Sequence, residues 1–81
     1  MFYYTYVLRS ERDGRLYIGC TSNLKVRVRE HQGGLVQATK HRLPVQLVYY
    51  EACKSKSSAY AREQYFKTGF GRRYLRDRSG P

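Results

Sequence analysis

The run Phe2-Tyr3-Tyr4-Thr5-Tyr6-Val7-Leu8-Arg9 is almost wholly aromatic, β-branched or aliphatic, and such a run reads as a β-strand. Side chains alternate along a strand, so Phe2, Tyr4, Tyr6 and Leu8 share one face and Tyr3, Thr5, Val7 and Arg9 the other. Ser10 to Arg15 holds Asp13-Gly14, a hairpin turn signal, and Leu16 to Cys20 returns as an antiparallel second strand. Loop length then decides which tyrosines meet. A two-residue Asp-Gly loop separates Tyr6 and Tyr17 by about 13 Å along the ladder. A six-residue loop pairs Tyr6 with Gly19 and brings Tyr17 diagonally close, the register expected if the two tyrosines act together. Gly19, lacking a side chain, then leaves space on that face for a ligand.

Thr21-Ser22-Asn23 offers N-cap candidates, Ser22 or Asn23 best placed, for a helix from Leu24 to about Gly33-Gly34. Its inner stripe at i, i+3, i+4 and i+7 is Leu24, Arg27, Val28 and His31. A cation and a titratable ring on a core-facing stripe either line a cleft or have buried partners. Leu35 to Pro44 is a basic connection containing Lys40-His41-Arg42, and Pro44 cannot donate to a ladder, so the third strand is Val45 to Ala52. Ser57 or Ser58 caps a second helix running to about Lys67, on which Ala59, Glu63 and Phe66 share a face. There a carboxylate stands where an apolar residue belongs. Gly69 and Gly71 break the helical pattern, and Phe70 to Arg76 reads as a short last helix anchored by Phe70 and Tyr74, with Arg78 to Pro81 as a frayed tail. The order β-β-α-β-α-α predicts an α+β fold, a three-stranded antiparallel sheet flanked by about three helices. One domain spanning residues 1–81 accounts for the whole pattern.

Charge narrows the function. Sixteen Lys and Arg stand against six Asp and Glu, a net charge of +10, alongside nine tyrosines. Such a field favours polyanions, and Arg with Tyr supplies both phosphate contacts and stacking surfaces. No long basic amphipathic helix stands out, which argues against a membrane surface as partner. Cys20 and Cys53 lack metal-ligand spacing and a nearby base, so neither is expected as a ligand or nucleophile. With no signal peptide and no long apolar run in the sequence, the expected compartment is the reducing cytoplasm.

Tyr17-Ile18-Gly19, with Arg27 and His31 at their spacings behind it, resembles the GIY-YIG nuclease superfamily. Its first motif half looks like Tyr4-Thr5-Tyr6, which keeps only the tyrosine of Gly-Ile-Tyr and resembles the small stand-alone members. Thr39-Lys40-His41-Arg42-Leu43-Pro44, Leu47-Val48-Tyr49-Tyr50-Glu51 and the segment from Ala61-Arg62-Glu63 through Lys67-Thr68-Gly69 look like the same subfamily. The resemblance implies a metal-dependent endonuclease that hydrolyses DNA phosphodiester bonds, structure-selective, in repair or recombination. Glu63 would bind a single divalent ion, Mg²⁺ or Mn²⁺; Tyr6 or Tyr17 would be the general base. Arg27 would stabilise phosphate charge, and His31 would hydrogen-bond a tyrosine and relay its proton. Gly19, Lys40, His41, Arg42, Lys67, Arg72 and Arg73 are the candidate nucleic-acid contacts. The expected substrate is branched or single-stranded DNA, with RNA left open and a partner protein as a source of specificity. The alternative is a non-catalytic basic nucleic-acid-binding module on the same scaffold. Residue by residue, ordinary roles compete: Tyr6 and Tyr17 as core aromatics, Arg27 with Glu63 as a salt bridge between helices, His31 as a cation at a helix C-terminus.

Overall fold

The computed structural model describes residues 1–79. Its elements in chain order are β1 (Tyr3–Ser10), β2 (Leu16–Thr21), α1 (Leu24–Gln32), a 3₁₀ turn at Lys40–Arg42, β3 (Val45–Cys53), α2 (Lys56–Phe66) and α3 (Gly69–Ser79). The strands form one antiparallel sheet in the order β2-β1-β3, which bears out the expected α+β architecture. Because β1 is the middle strand, both of its faces are covered, and Thr5, Tyr6, Val7 and Leu8 are all buried in succession. A run with few polar residues suits a central strand better than an edge.

The hairpin adopts the longer loop. Arg9 pairs with Leu16 and Tyr6 with Gly19, so Ser10 to Arg15 forms the connection, with Gly14 at φ 74°. α1 starts at its Asn23 cap, whose side chain accepts from the Val26 N–H, and ends before Gly33, with Gly34 at φ 79°.

Two cores lie on opposite sides of the sheet. Tyr6, Leu8 and Val45 pack with Tyr17, Leu24, Val28, Leu43 and Leu47 beneath α1. Val7, Ile18, Phe66 and Leu75 pack with Leu16, Val48, Tyr49 and Tyr74 beneath α2 and α3. Strict alternation cannot deliver this division, because it puts Leu47 and Tyr49 on one face. A bulge between Val7 and Leu8 in the β1–β3 ladder shifts the register there, so Leu47 joins the α1 side while Tyr49 serves the other.

Three local expectations are corrected. α2 is capped by Ser55 rather than Ser57 or Ser58: Ser55 has the extended backbone of a cap, and its hydroxyl accepts from the Ser58 N–H. α3 begins at Gly69, with the Thr68 hydroxyl accepting from the Gly71 N–H, and takes in Arg78, which stacks on Tyr74. Gly80 and Pro81 of the expected tail lie outside the described residues. Phe70 is not an anchor; it is 76% exposed. A Cβ at Gly71 would run into the backbone of Tyr65 and Phe66, so this glycine is what lets α3 close onto the end of α2. That contact turns Gly71 and Leu75 inward and Phe70 outward.

The packing makes these roles separable in urea unfolding. Leu75→Ala is expected to cost about 2–5 kcal/mol, as core truncations do. Phe70→Ala is expected to stay within about 0.5 kcal/mol of the parent. A comparable loss for both would mean that Phe70 does anchor the helix.

Candidate active site

Tyr6 is the hub of the site. It projects from the middle of the central strand toward α1, is 1% exposed, and lies across the ladder from Gly19. A Cβ at Gly19 would sit 2.5 Å from the Tyr6 hydroxyl oxygen and 2.7 Å from Cζ. The room expected there for a ligand is therefore filled by the Tyr6 phenol itself, and Gly19 is the seat on which that ring rests. Tyr17, paired with Leu8, stands diagonally from Tyr6 with ring centroids 6.4 Å apart.

α1 supplies the second side. Burying Leu24 and Val28 against the sheet fixes the rotation of the helix, and the same rotation brings Arg27 and His31 to the tyrosines. His31 is completely buried; its Nε2 lies 2.8 Å from the Tyr6 hydroxyl and its ring 4.9 Å from that of Tyr17. Nδ1 lies 2.8 Å from the hydroxyl of Thr39, which is also buried. Arg27 reaches Glu30 Oε1 at 3.1 Å and stands close enough to Tyr6 to pull the phenol pKa down. The His31 ring therefore bridges two hydroxyls, donating from one nitrogen and accepting at the other when neutral. Burial, followed by the charge of Arg27, holds the His31 pKa below its usual value, so the ring is neutral and free to accept. Burial likewise pushes the Tyr6 phenol up, against the opposing pull of the neighbouring Arg27.

Glu63 arrives from the opposite face of the sheet. α2 is fastened at Ala59, whose carbonyl accepts from the Thr5 hydroxyl at 2.8 Å and the Cys20 thiol at 3.2 Å. One turn later Glu63 brings its charge near enough to raise the Tyr6 pKa, while Oε2 takes Lys67 Nζ at 2.9 Å. Burial and the neighbouring Glu63 push the Cys20 thiol up to about 11, which leaves it protonated at neutral pH. Among the described residues Arg27 pairs with Glu30 on its own helix and Glu63 with Lys67 on its own, so the helix-to-helix salt bridge does not form. No three His, Cys, Asp or Glu side chains cluster as a ready-made metal cage among those residues.

Tyr6, Tyr17, Arg27 and His31 thus come together on the α1 side of the sheet, while Glu63 acts on Tyr6 through its charge from the α2 side. The expected nucleic-acid contacts do not gather around them. Lys67 adjoins the site through Glu63, but Lys40, His41 and Arg42 lie against the hairpin: Arg42 faces Asp13 at 3.5 Å, and Arg12 donates to the His41 carbonyl. Arg72 and Arg73 are exposed on α3. Sequence reading missed Thr39. It sits within the quoted Thr39-Lys40-His41-Arg42 segment, yet a loop has no periodicity to mark which residue points inward, and its charged neighbours drew the attention.

A family model described as the GIY-YIG catalytic domain matches residues 2–75. A UPF0213 protein of Bacillus licheniformis is 46% identical over 66 residues, covering 80% of this chain and 67% of that protein. One from Clostridium perfringens is 42% identical over 65 residues, covering 79% of this chain and 69% of its own length. The solution NMR structure of a UPF0213 protein from Bacillus halodurans superposes with a TM-score of 0.62 at 30% identity, covering 100% of this chain and 89% of that one. No helix among the described residues is long and apolar enough to cross a membrane.

The buried neutral His31 makes stability depend on pH. Its folded pKa lies below the unfolded value near 6.5, so the unfolded chain binds the extra proton. The His31 contribution is therefore complete above about pH 6.5 and is lost as pH falls through the folded pKa. Thermal unfolding is expected at progressively lower temperature between about pH 7 and 5, and His31→Gln is expected to flatten that slope. An unchanged slope in the variant would remove His31 as its source.

Proposed function

Because this chain belongs to the GIY-YIG catalytic-domain family of nucleases, we propose that it is a divalent-metal-dependent endonuclease that hydrolyses phosphodiester bonds in DNA. The observation that carries the assignment is the buried hydrogen bond between Tyr6 and a neutral His31, with the Arg27 charge close enough to act on the same phenol. An ordinary core tyrosine needs one polar partner for its hydroxyl. Tyr6 has a proton acceptor and a cation, the two neighbours that let a phenol act on a water.

Tyr6 is the general base. Burial disfavours a standing phenolate, so the phenol works by passing its proton on. As the attacking water gives a proton to the Tyr6 oxygen, the phenolic proton moves to His31 Nε2, and Thr39 holds Nδ1–H throughout. Arg27 serves the non-bridging phosphate oxygens with the donors left over from Glu30, and offsets the charge that builds up in the transition state. Tyr17 walls the cleft beside His31 and orients the phosphate.

The donor chemistry suits a hard divalent cation, Mg²⁺ or Mn²⁺: Glu63 would supply one carboxylate oxygen, with water and phosphate completing the shell. When bound, such an ion polarises the phosphoryl group and stabilises the leaving oxygen. Lys67, now on Glu63, is released to the DNA backbone. We place the enzyme in the cytoplasm, acting on branched or single-stranded DNA in repair or recombination, with specificity aided by a partner protein.

Supercoiled plasmid, branched DNA and single strands incubated with Mg²⁺ or Mn²⁺ test the assignment. Arg27→Ala is expected to slow cleavage about 100- to 1000-fold, the usual cost of removing a transition-state donor. Glu63→Ala is expected to leave no metal-dependent product. Equal traces of product from wild type and Glu63→Ala would sink the enzyme reading; salt-dependent binding without turnover would identify a binding module instead.

A further inference from the structure

A second groove, of about 570 Å³, lies between α1 and β3, apart from the Tyr6–His31 cleft. Tyr4, Leu47 and Tyr50 form its floor, and Val28, Lys25 and Arg29 of α1 its wall. The volume suits a group of nucleotide size. Tyr50 is 52% exposed, and its ring stands 6.2 Å from that of Tyr4 at 57°. Neither hydroxyl has a hydrogen bond among the described residues. Two aromatic rings therefore line an open groove.

The wall is charged in an uneconomical way. Arg27, Arg42, Arg62 and Lys67 each have a carboxylate partner, whereas Lys25 and Arg29 have none among the described residues. They stand at i and i+4 on α1, so they repel one another and weaken the free helix. The first turn of α1 also carries no acid to offset the positive end of its dipole. An anion in the groove relieves all of this together.

We propose that this groove binds an unpaired nucleotide of the DNA strand, its base stacked on Tyr50 and Tyr4 and its flanking phosphates on Lys25 and Arg29. The proposal rests on the nuclease reading for its substrate and deepens it: the substrate class is DNA with an unpaired stretch beside the cleaved bond. Stacking faces are hidden inside a duplex and open only in single strands. The groove also lies close to the chemistry. Tyr50 is directly opposite Tyr6 in the β1–β3 register, and Tyr4 is on the same face of β1. Two residues along a strand span about 7 Å, the rise of two stacked nucleotides at about 3.4 Å each.

The test is fluorescence anisotropy in EDTA, where no cleavage intervenes, with labelled oligothymidylate of about a dozen nucleotides and a blunt duplex of equal length. Tyr50→Ala is expected to weaken oligothymidylate binding roughly five- to a hundredfold and to leave duplex binding unchanged, while Tyr50→Phe retains affinity. Lys25→Ala and Arg29→Ala, both at exposed positions, are each expected to lower the salt slope on the single strand by about 0.7. Circular dichroism melts establish that each variant is folded. The groove is overturned if Tyr50→Ala and both cation variants bind oligothymidylate like wild type, or if they lose duplex affinity equally. It is overturned too if Tyr50→Ala only dissociates a dimer of this chain, or if oligouridylate binds more tightly than oligothymidylate. Metal-dependent cleavage that needs Glu63, with single-strand affinity indifferent to Tyr50, would reject the groove and keep the nuclease. Tyr50-dependent strand binding without cleavage under either metal would do the reverse.

Discussion

The hydrogen bond between Tyr6 and His31 ties the whole structure together. Both groups are buried, so either one left without its partner would cost about 1–3 kcal/mol. Keeping the bond requires the central strand to hold Tyr6 at one position, α1 to hold one rotation, and the loop after α1 to return Thr39 against Nδ1. Gly19 completes the set by admitting the phenol where any side chain would displace it. Polar satisfaction in the core and assembly of the cleft are thus one requirement.

A thin sheet makes this arrangement practical. With only three strands, the β2 edge lies directly beside the central strand, within reach of helices on both faces. α1 contributes Arg27 and His31 from above, and α2 contributes Glu63 from below, past the β2 side where Cys20 and Gly19 lie. The cation and the carboxylate each have a local partner, Glu30 and Lys67, which keeps opposite charges from neutralising one another across the cleft. Both pairs are only partly sheltered from solvent, which keeps each of them weak.

The electrostatics divide the molecule by task. On the α2–α3 side, Arg62 grips Glu51 through two hydrogen bonds of 2.8 Å while its guanidinium lies over Phe66, and Tyr49 donates to the same carboxylate. That network holds the pKa of Glu51 down and is structural. On the α1 side Arg27 pairs with Glu30, while Lys25 and Arg29 have no carboxylate partner among the described residues.

The sequence by itself determined the strand and helix order and the two anomalous helix faces, and narrowed the hairpin to two registers. Each follows from a local rule: alternation by two along Tyr3–Ser10, and a helical repeat carrying Arg27 with His31 and Ala59 with Glu63. The tertiary structure alone decided what those faces meet. It gave the space at Gly19 to the Tyr6 ring, brought Thr39 rather than Lys40 or His41 to the site, and turned Phe70 outward once Gly71 let α3 close onto α2. It also split Leu47 from Tyr49 through a bulge that no alternation pattern encodes. Loops, bulges and helix contacts have no period, so the direction of a side chain there is fixed by packing against distant parts of the chain. Periodic segments announce their own inner face.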